Sequence, residues 1–278
     1  MTSVRQPALS PSRANDFRQC SLLFRFRVVD RLPEPPSLAP TLGTLVHAVL
    51  EDLFELPAAR RTFAAAQEAL APRWDRMVQE RPELAALVPD APARERFLGD
   101  GVQRVETYFR LENPMRLEPA AREQRMEVTL ADGPALRGIV DRIDEAPDGR
   151  LRVVDYKTGA APRPGYGEAA RFQMRFYALL VERLRGVRPS VLRLLYLKDG
   201  TTTDYTPTAE DVEAVEGEIR ALWSQIEDAA RHARFTPSPS RLCDWCAFQD
   251  RCPQFGGTPG PVDPDAVERA LGVRPVAS

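Results

Sequence analysis

The sequence predicts an α/β fold in which a mixed central sheet is flanked by helices. Helical periodicity dominates up to about residue 120, and short alternating segments separated by turn residues follow from about Ala121. Three closely spaced cysteines near the end of the 278-residue chain form a further, separate feature. A chain of this length is expected to form one or two domains with a substantial apolar core.

The first part of the chain is expected to be helical. After a short helical pattern and a proline-rich linker, apolar residues recur at helical spacing in GTLVHAVLEDLFE, where His47 lies at the edge of the apolar stripe. Residues 56–115 continue this pattern and are expected to form a helical insertion. The expected breaks in it are at Pro72, Pro82, Pro89 and Pro92.

The second part is expected to contain the sheet. The segments EQRMEVTL, ALRGIVDRID and RLRVVDYK each alternate as strands do, and an amphipathic helix, EAARFQMRFYALLVERLRG, follows them. A further hairpin, SVLRLLYLKDG with TTTDYTP, precedes a long helix from Asp211 to about Ala233. We expect one domain over residues 1–256 and a flexible tail over residues 257–278.

Composition excludes few classes of protein. The formal net charge is −2 and the isoelectric point about 5.9, which argues weakly against a nucleic-acid coat protein but allows a locally basic site. The N-terminus lacks the apolar core of a signal peptide, and no stretch approaches the roughly 18 apolar residues of a membrane span. We therefore expect a cytoplasmic protein without a membrane partner.

The segment VVDYKTG contains Lys157, one of two lysines among 38 basic residues. Alternation along a strand puts Asp155 and Lys157 on the same side, and pairing with the preceding strand brings Asp141 close. Two adjacent carboxylates repel each other unless a cation such as Mg²⁺ or Mn²⁺ lies between them. A lysine beside them could stabilise negative charge on a phosphoryl group, although a surface lysine in the turn before Gly159 is the alternative.

The run GIVDRIDEAPDGRLRVVDYKTG resembles the RecB/AddB-type branch of the PD-(D/E)XK nuclease superfamily, with Val140-Asp141 where the superfamily name has Pro-Asp. The resemblance implies a restriction-endonuclease-like core with a helical N-terminal part and a Cys-rich C-terminal knob. GTLVHAVLEDLF resembles an upstream motif of this branch, which would make His47 a metal ligand.

Two further expectations rest on the same resemblance. FQMRFYALL resembles the downstream Q-x-x-x-Y motif, so Gln173 and Tyr177 would brace Lys157 or contact the DNA backbone. One more acid is expected before GIVDRID, and Glu123 is preferred over the other candidates, Glu127 and Asp132.

The cysteines form the group Cys243-x2-Cys246-x5-Cys252, with Cys20 distant in sequence. A C-x-x-C pair alone fits a zinc half-site or a redox motif, whereas three close cysteines and one distant one fit an iron–sulfur cube. The segment from Ser10 to Cys20 resembles the N-terminal motif of AddB-type and CRISPR-adaptation nucleases. That resemblance implies a [4Fe–4S] cluster joining the first helix to the C-terminal knob.

The expected function is therefore that of a Mg²⁺- or Mn²⁺-dependent DNA exonuclease, acting on single strands or ends in DNA repair or recombination. Asp141, Asp155, Lys157 and Glu123 would be catalytic, and His47, Asp141 and Asp155 would hold the cation. The sequence contains no P-loop motif, so a helicase partner would be a separate protein. The alternatives are a non-cleaving iron–sulfur module that binds DNA ends and a zinc-stabilised scaffold.

Overall fold

Three layers make up the fold, with a six-stranded mixed sheet between two layers of helices. The structure is a computed structural model that describes residues 7–163, 165 and 167–276. The predicted α/β class, with helices on both sides of a mixed sheet, is confirmed.

The strands are β1 (Ala8–Leu9), β2 (Ala121–Thr129), β3 (Ala135–Glu145), β4 (Leu151–Lys157), β5 (Val191–Tyr196) and β6 (Thr201–Tyr205). Strand β2 runs antiparallel along one edge of β3. On the opposite edge, β1 pairs in parallel with the beginning of β3 and β4 pairs antiparallel with its end. Strand β5 continues the sheet parallel to β4, and β6 closes it antiparallel to β5.

The edge of β3 that pairs with both β1 and β4 contains a stretch without a strand partner among the described residues. β1 reaches only Ala135 and Leu136, and the ladder with β4 begins at Arg142. Residues 137–141 therefore have no strand partner on this edge within the described part of the chain. We call these five positions the β3 gap, and the candidate functional residues lie around it.

The α-helices are α1 (Pro11–Gln19), α2 (Ser21–Phe24), α3 (Leu38–Glu55), α4 (Phe63–Glu80), α5 (Ala91–Leu111), α6 (Glu168–Arg185), α7 (Ala209–Arg231) and α8 (Pro264–Leu271). A π-helical turn, Arg25–Val29, extends α2. Local signals set several helix ends: Ser10 caps α1, Thr208 and Asp211 form a capping box on α7, and Gly186 ends α6 in a left-handed conformation.

A separate hydrophobic core lies on each face of the sheet. Helices α3, α4 and α5 pack on one face, where Val154, Tyr156 and Leu195 point toward them. Helices α1, α2, α6, α7 and α8 cover the other face over Val153 and Leu192. The predicted insertion at 56–115 is thus helical, and it forms the layer that holds α3 against the sheet.

Two expectations need correction. Pro72 lies inside α4 rather than at a break; its ring is on the exposed side, where the lost backbone hydrogen bond can be replaced by water. The expected flexible tail contains α8, whose Val267 and Leu271 are buried in the core, because its apolar residues recur at helical spacing after the Asp263 cap.

Among the described residues, no helix is long and apolar enough to span a membrane.

Candidate metal centre

The candidate metal centre lies where β3 and β4 separate. Their ladder ends at the pair Arg142 and Val154. Beyond it the Asp141 carboxylate enters between the strands, and its Oδ2 accepts a hydrogen bond of 2.7 Å from the backbone N–H of Tyr156. The side chain thus occupies a position that a ladder hydrogen bond would otherwise fill.

His47 approaches Asp141 from α3. Its Nε2 lies 2.9 Å from the Tyr156 carbonyl oxygen, and because a carbonyl only accepts, this nitrogen carries a hydrogen. Its Nδ1 lies 3.4 Å from Asp141 Oδ1 and 4.0 Å from Glu123 Oε1. One ligand atom from each of these three residues falls within 4.8 Å of the other two.

Glu123 reaches this group through an unusual backbone. It lies where the β2–β3 register skips a pair, between Arg122–Arg142 and Gln124–Val140, and has a φ of 40°, which a non-glycine residue rarely adopts in a strand. Of the other two acids considered, Glu127 pairs with Arg137 at 2.8 Å and Asp132 lies 3.6 Å from Arg220. The structure therefore brings Glu123 to the candidate metal-binding group, and places Glu127 and Asp132 in other contacts.

Asp155 and Lys157 lie beside this group, linked to α6. Asp155 is 3% exposed; its Oδ1 accepts from Gln173 Nε2 at 3.0 Å, and its Oδ2 forms an ion pair of 2.7 Å with Lys157 Nζ. Lys157 Nζ also donates to Gln173 Oε1 at 2.7 Å. Gln173 donates to the Tyr177 hydroxyl, which donates to the carbonyl of Ile139 in the β3 gap.

The crowded acids alter each other's protonation. Burial, and then the charge of Asp141, raise the pKa of Glu123 to about 7. Burial would lower the pKa of His47, but its contact with Asp141 and the charges of Asp155 and Glu123 raise it to about 9. Burial and the Asp141 charge also raise the pKa of Asp155, against the opposing effect of Lys157.

These residues fit a hard divalent cation. Two carboxylates and one imidazole nitrogen converge, and the buried Asp155 Oδ2 accepts no well-aligned hydrogen bond from the described residues despite its ion pair. Carboxylate oxygens suit Mg²⁺ and Mn²⁺, while an imidazole ligand favours Mn²⁺ of the two. A cation would also relieve the repulsion that raises these pKa values.

Two neighbours of the site were not found from the sequence. Glu51 lies one helical turn after His47, lines the same small pocket, and raises the pKa of Glu123; the i, i+4 spacing is the signal that could have indicated it. Arg142 is 1% exposed and pairs with Glu112 of α5 at 2.8 Å and with Asp144 at 2.9 Å. No local pattern connects Arg142 with Glu112, which is distant in sequence.

The four cysteines line one pocket although Cys20 is far from the others in sequence. All four are half-buried free thiols, and burial, with smaller contributions from the other three, raises the pKa of Cys246. Among the described residues, no three cysteine sulfurs lie within 4.8 Å of one another. The cysteines thus face a common space without forming a compact metal-binding group.

The sequence matches the model of the PD-(D/E)XK nuclease superfamily over residues 8–253. This match covers most of the chain, and together with the sheet and the convergent acids it defines the class of protein. The chain belongs to the PD-(D/E)XK nuclease superfamily, whose chemistry is phosphodiester hydrolysis.

The individual proteins that this chain resembles share less than a third of its residues over the aligned regions. The Gene 69 protein of Mycobacterium phage D29 is 26% identical over 92% of this chain and all of its own length. One subunit of the ATP-dependent helicase/deoxyribonuclease of Streptococcus agalactiae is 29% identical over 55% of this chain, a match that spans only 14% of that subunit. A presumed exonuclease from Eubacterium rectale has a similar fold, with a TM-score of 0.58, 15% identity and 86% coverage of both chains.

Proposed function

We propose that this protein is a Mg²⁺- or Mn²⁺-dependent DNA exonuclease that acts on single strands or DNA ends. The observation that carries the proposal is the convergence of His47, Glu123 and Asp141 within 4.8 Å, beside the buried Asp155 and its ion pair with Lys157. Acids that converge beside a lysine suit phosphodiester hydrolysis, because charge must be neutralised on both sides of the scissile bond.

In this proposal His47, Asp141 and Asp155 bind the cation, and Glu123 completes the acidic group. A bound Mg²⁺ or Mn²⁺ would supply Lewis-acid stabilisation of the phosphoryl oxygens and lower the pKa of a bound water. The hydrogen bond from His47 Nε2 to the Tyr156 carbonyl fixes the ring so that Nδ1 faces the acids. Asp141 is fixed in turn by the backbone N–H of Tyr156.

Lys157 is the proposed electrostatic catalyst. Its ammonium lies 2.7 Å from both Asp155 Oδ2 and Gln173 Oε1 and donates a hydrogen bond to Gln173, which leaves hydrogens for a phosphoryl oxygen. Gln173 and Tyr177 form the brace: they connect Lys157 to the Ile139 carbonyl through two further hydrogen bonds. We assign them this positioning role and a contact to the DNA backbone.

A role in DNA repair or recombination, with a separate helicase as partner, is part of the same proposal. It is supported by the similarity to a helicase/deoxyribonuclease, although that similarity covers a small part of the larger protein. The comparison with a presumed exonuclease, at 15% identity, supports the fold on which this proposal rests.

We further propose that Cys20, Cys243, Cys246 and Cys252 bind a [4Fe–4S] cluster. All four line one pocket, and their spacing favours a cluster over a single zinc ion. The cluster would hold α1 and α2 to the C-terminal segment.

The test is degradation of end-labelled single- and double-stranded DNA by anaerobically purified protein with Mn²⁺. Asp155→Ala and Lys157→Ala should each slow cleavage by about a hundredfold or more. Asp148→Ala is the matched control, because Asp148 lies in the exposed turn between β3 and β4 and pairs with Arg150.

Equal cleavage by wild type and both site variants would show that the site is wrongly assigned. Binding of DNA without cleavage under any metal would instead support the second candidate, a non-cleaving module that binds DNA ends. Degradation that starts only at an end distinguishes an exonuclease from an endonuclease.

A further inference from the structure

A cavity of about 480 Å³ opens at the β3 gap, next to the candidate metal centre. Gly138 and Ile139 of the gap line it, as do Gln173 and Tyr177, the brace of Lys157. The cavity and the catalytic lysine are therefore separated by a single layer of side chains. Its volume lies in the range of small-molecule sites and is suited to about one nucleotide.

The cavity has a basic wall. Arg125 of β2 and Arg137 of β3 line it from the sheet, and Arg13 lines it from α1. Arg125 is exposed and lies directly across from Ile139 in the β2–β3 register. Among the described residues that line the cavity there is no carboxylate, in contrast to the acidic metal centre beside it.

Arg137 of this wall forms an ion pair at the cavity's edge. Arg137 Nε and Nη2 lie 2.8 and 3.0 Å from the two carboxylate oxygens of Glu127, whose side chain is 44% exposed. A bidentate partner fixes the plane of a guanidinium and so sets the direction in which it can meet a phosphate. Glu127 therefore orients Arg137 and also reduces the positive charge that the cavity presents.

The cavity also has an apolar wall. Ile139 is 45% exposed in spite of its central place in the sheet, and the Tyr177 ring lies beside it. An apolar surface next to basic side chains matches the two parts of a nucleotide, a flat base and a charged phosphate. Ser12 and Asn15 of α1 add hydrogen-bonding groups at the rim.

We propose that this cavity receives the unpaired nucleotide next to the scissile phosphate of a single DNA strand. Arg125 and Arg137 bind its phosphate, and Ile139 packs against its base. A base inside a duplex would have to leave its stack to enter, so the cavity selects for single strands or frayed ends. This inference rests on the proposed function, because it takes the scissile phosphate to lie at Lys157.

The test measures binding without cleavage. Anisotropy of a fluorescein-labelled oligothymidylate is titrated with the full-length protein in buffer containing EDTA, over a series of salt concentrations. Arg125→Ala and Arg137→Ala should each weaken binding about tenfold and reduce the slope of log affinity against log salt by about one. Ile139→Ala should weaken binding severalfold and leave the salt slope unchanged.

Two further variants sharpen the test. Glu127→Gln removes the competing carboxylate and should tighten binding severalfold, an effect that loss of folding cannot mimic. Arg96→Ala, which removes an exposed arginine of α5 outside the cavity, should bind as wild type does. A blunt hairpin duplex should bind wild type more weakly than the single strand.

Wild-type affinity in both arginine variants would overturn the inference, and so would a duplex that binds as tightly as the single strand with the same dependence on Arg125. The proposed function has a separate readout, which is Mn²⁺-dependent cleavage by wild type against Asp155→Ala. Cleavage with unchanged binding in the arginine variants would therefore reject this cavity and retain the nuclease.

Discussion

At the scale of single residues, the position of Lys157 decides what its charge can do. Its Nζ is flanked by oxygens of Asp155 and Gln173, each 2.7 Å away, which restricts the directions from which a phosphoryl oxygen can approach the ammonium. The chain otherwise uses arginine almost throughout, with 38 basic residues of which two are lysines. A compact cation fits this space, whereas a planar guanidinium needs more room and presents its hydrogens as a fork.

Lys157→Arg should therefore fold normally and lose about a hundredfold in cleavage rate, because the charge is kept but its position is not. Single-turnover cleavage and a melting curve check the two parts of this expectation. Lys198→Arg, at the exposed turn between β5 and β6, is the matched control and should cleave at the wild-type rate. A Lys157→Arg variant as active as wild type would mean that positive charge alone is sufficient.

Protons should compete with the metal at the candidate centre. His47, with a pKa raised to about 9, and Glu123, with a pKa raised to about 7, both hold protons that a cation must displace. Mn²⁺ affinity should therefore rise between about pH 6 and 9, by up to about tenfold per pH unit for each displaced proton.

Calorimetry in two buffers of different ionisation enthalpy measures this proton release directly. His47→Ala should abolish the pH dependence in the upper part of the range, while displacement of the Glu123 proton continues near neutral pH. An affinity that stays constant across the range, with no proton release, would exclude these two residues as ligands.

At the scale of elements, β3 carries the site because it changes face along its length. Val140 and Ile143 pack into the same core although they are three residues apart, while Arg142 points to the opposite layer and stacks near Phe54. A regular strand would place Val140 and Ile143 on opposite faces. The irregularity turns Asp141 into the space between β3 and β4.

The close approach of α6 to β3 depends on Gly138. A Cβ at this position would lie 2.9 Å from both Leu180 Cδ1 and Tyr177 Cε1, so Gly138→Ala should force α6 away from the sheet. We expect a loss of about 1–3 kcal/mol in stability and a lower cleavage rate, because Tyr177 and Gln173 move with the helix. Denaturant unfolding and the cleavage assay measure the two effects.

Gly99→Ala is the control for this substitution. Gly99 lies in α5 with nothing within 4 Å of an added Cβ, so alanine there should stabilise the protein by roughly 0.5–1 kcal/mol through helix propensity. Unchanged stability in Gly138→Ala would show that α6 can adjust without cost.

At the scale of the whole molecule, the N-terminal helices and the C-terminal segment meet at the cysteine pocket. Under the proposed cluster, Cys20→Ser should release iron and lower stability by about 4 kcal/mol, by analogy with a disulfide that closes a loop of over 200 residues. Iron content, the visible absorption of anaerobically purified protein and melting temperature are the measurements.

Ser21→Ala is the control for this substitution, because it removes a contact at the same junction that does not involve the proposed cluster. Ser21 Oγ donates to the Thr236 carbonyl and accepts from the Thr236 N–H, both at 2.9 Å, without involving a cysteine. This variant should lose about 1–2 kcal/mol and keep its iron. A colourless wild-type protein with one equivalent of zinc would exclude the iron–sulfur proposal.

Much of the architecture could be predicted from the sequence because the hydrophobic residues of its strands and helices recur with a clear local period. The three strands before α6, the hairpin β5–β6 and the helices α6 and α7 each have a pattern long enough to identify them. Strand β1 was missed because two residues have no recognisable period, and the packing of α8 into the core was not expected because proline and glycine surround that short helix. The contact of Lys157 with Asp155 was expected from strand alternation, and its contact with Gln173 from the resemblance of FQMRFYALL to a known motif.

Other parts of the site depend on three-dimensional packing and had no local signal. The positive φ of Glu123 occurs where the β2–β3 register skips a pair, and no residue preference in the sequence indicates it. The burial of Arg142 requires Glu112, which α5 delivers from a distant part of the chain. The β3 gap depends on how far β1 and β4 extend, which strand patterns do not specify.

The β3 gap has a consequence for the solubility of the protein. Unpaired strand edges are sites where another chain can add a strand and begin aggregation. Here the open backbone is bounded at both ends, by β1 at Leu136 and by β4 at Arg142, and the Tyr177 hydroxyl already occupies the Ile139 carbonyl. Because β1 and β4 flank the opening, a further strand could not extend along this edge of β3 beyond five residues, so the backbone left open beside the candidate site does not form a long unpaired edge.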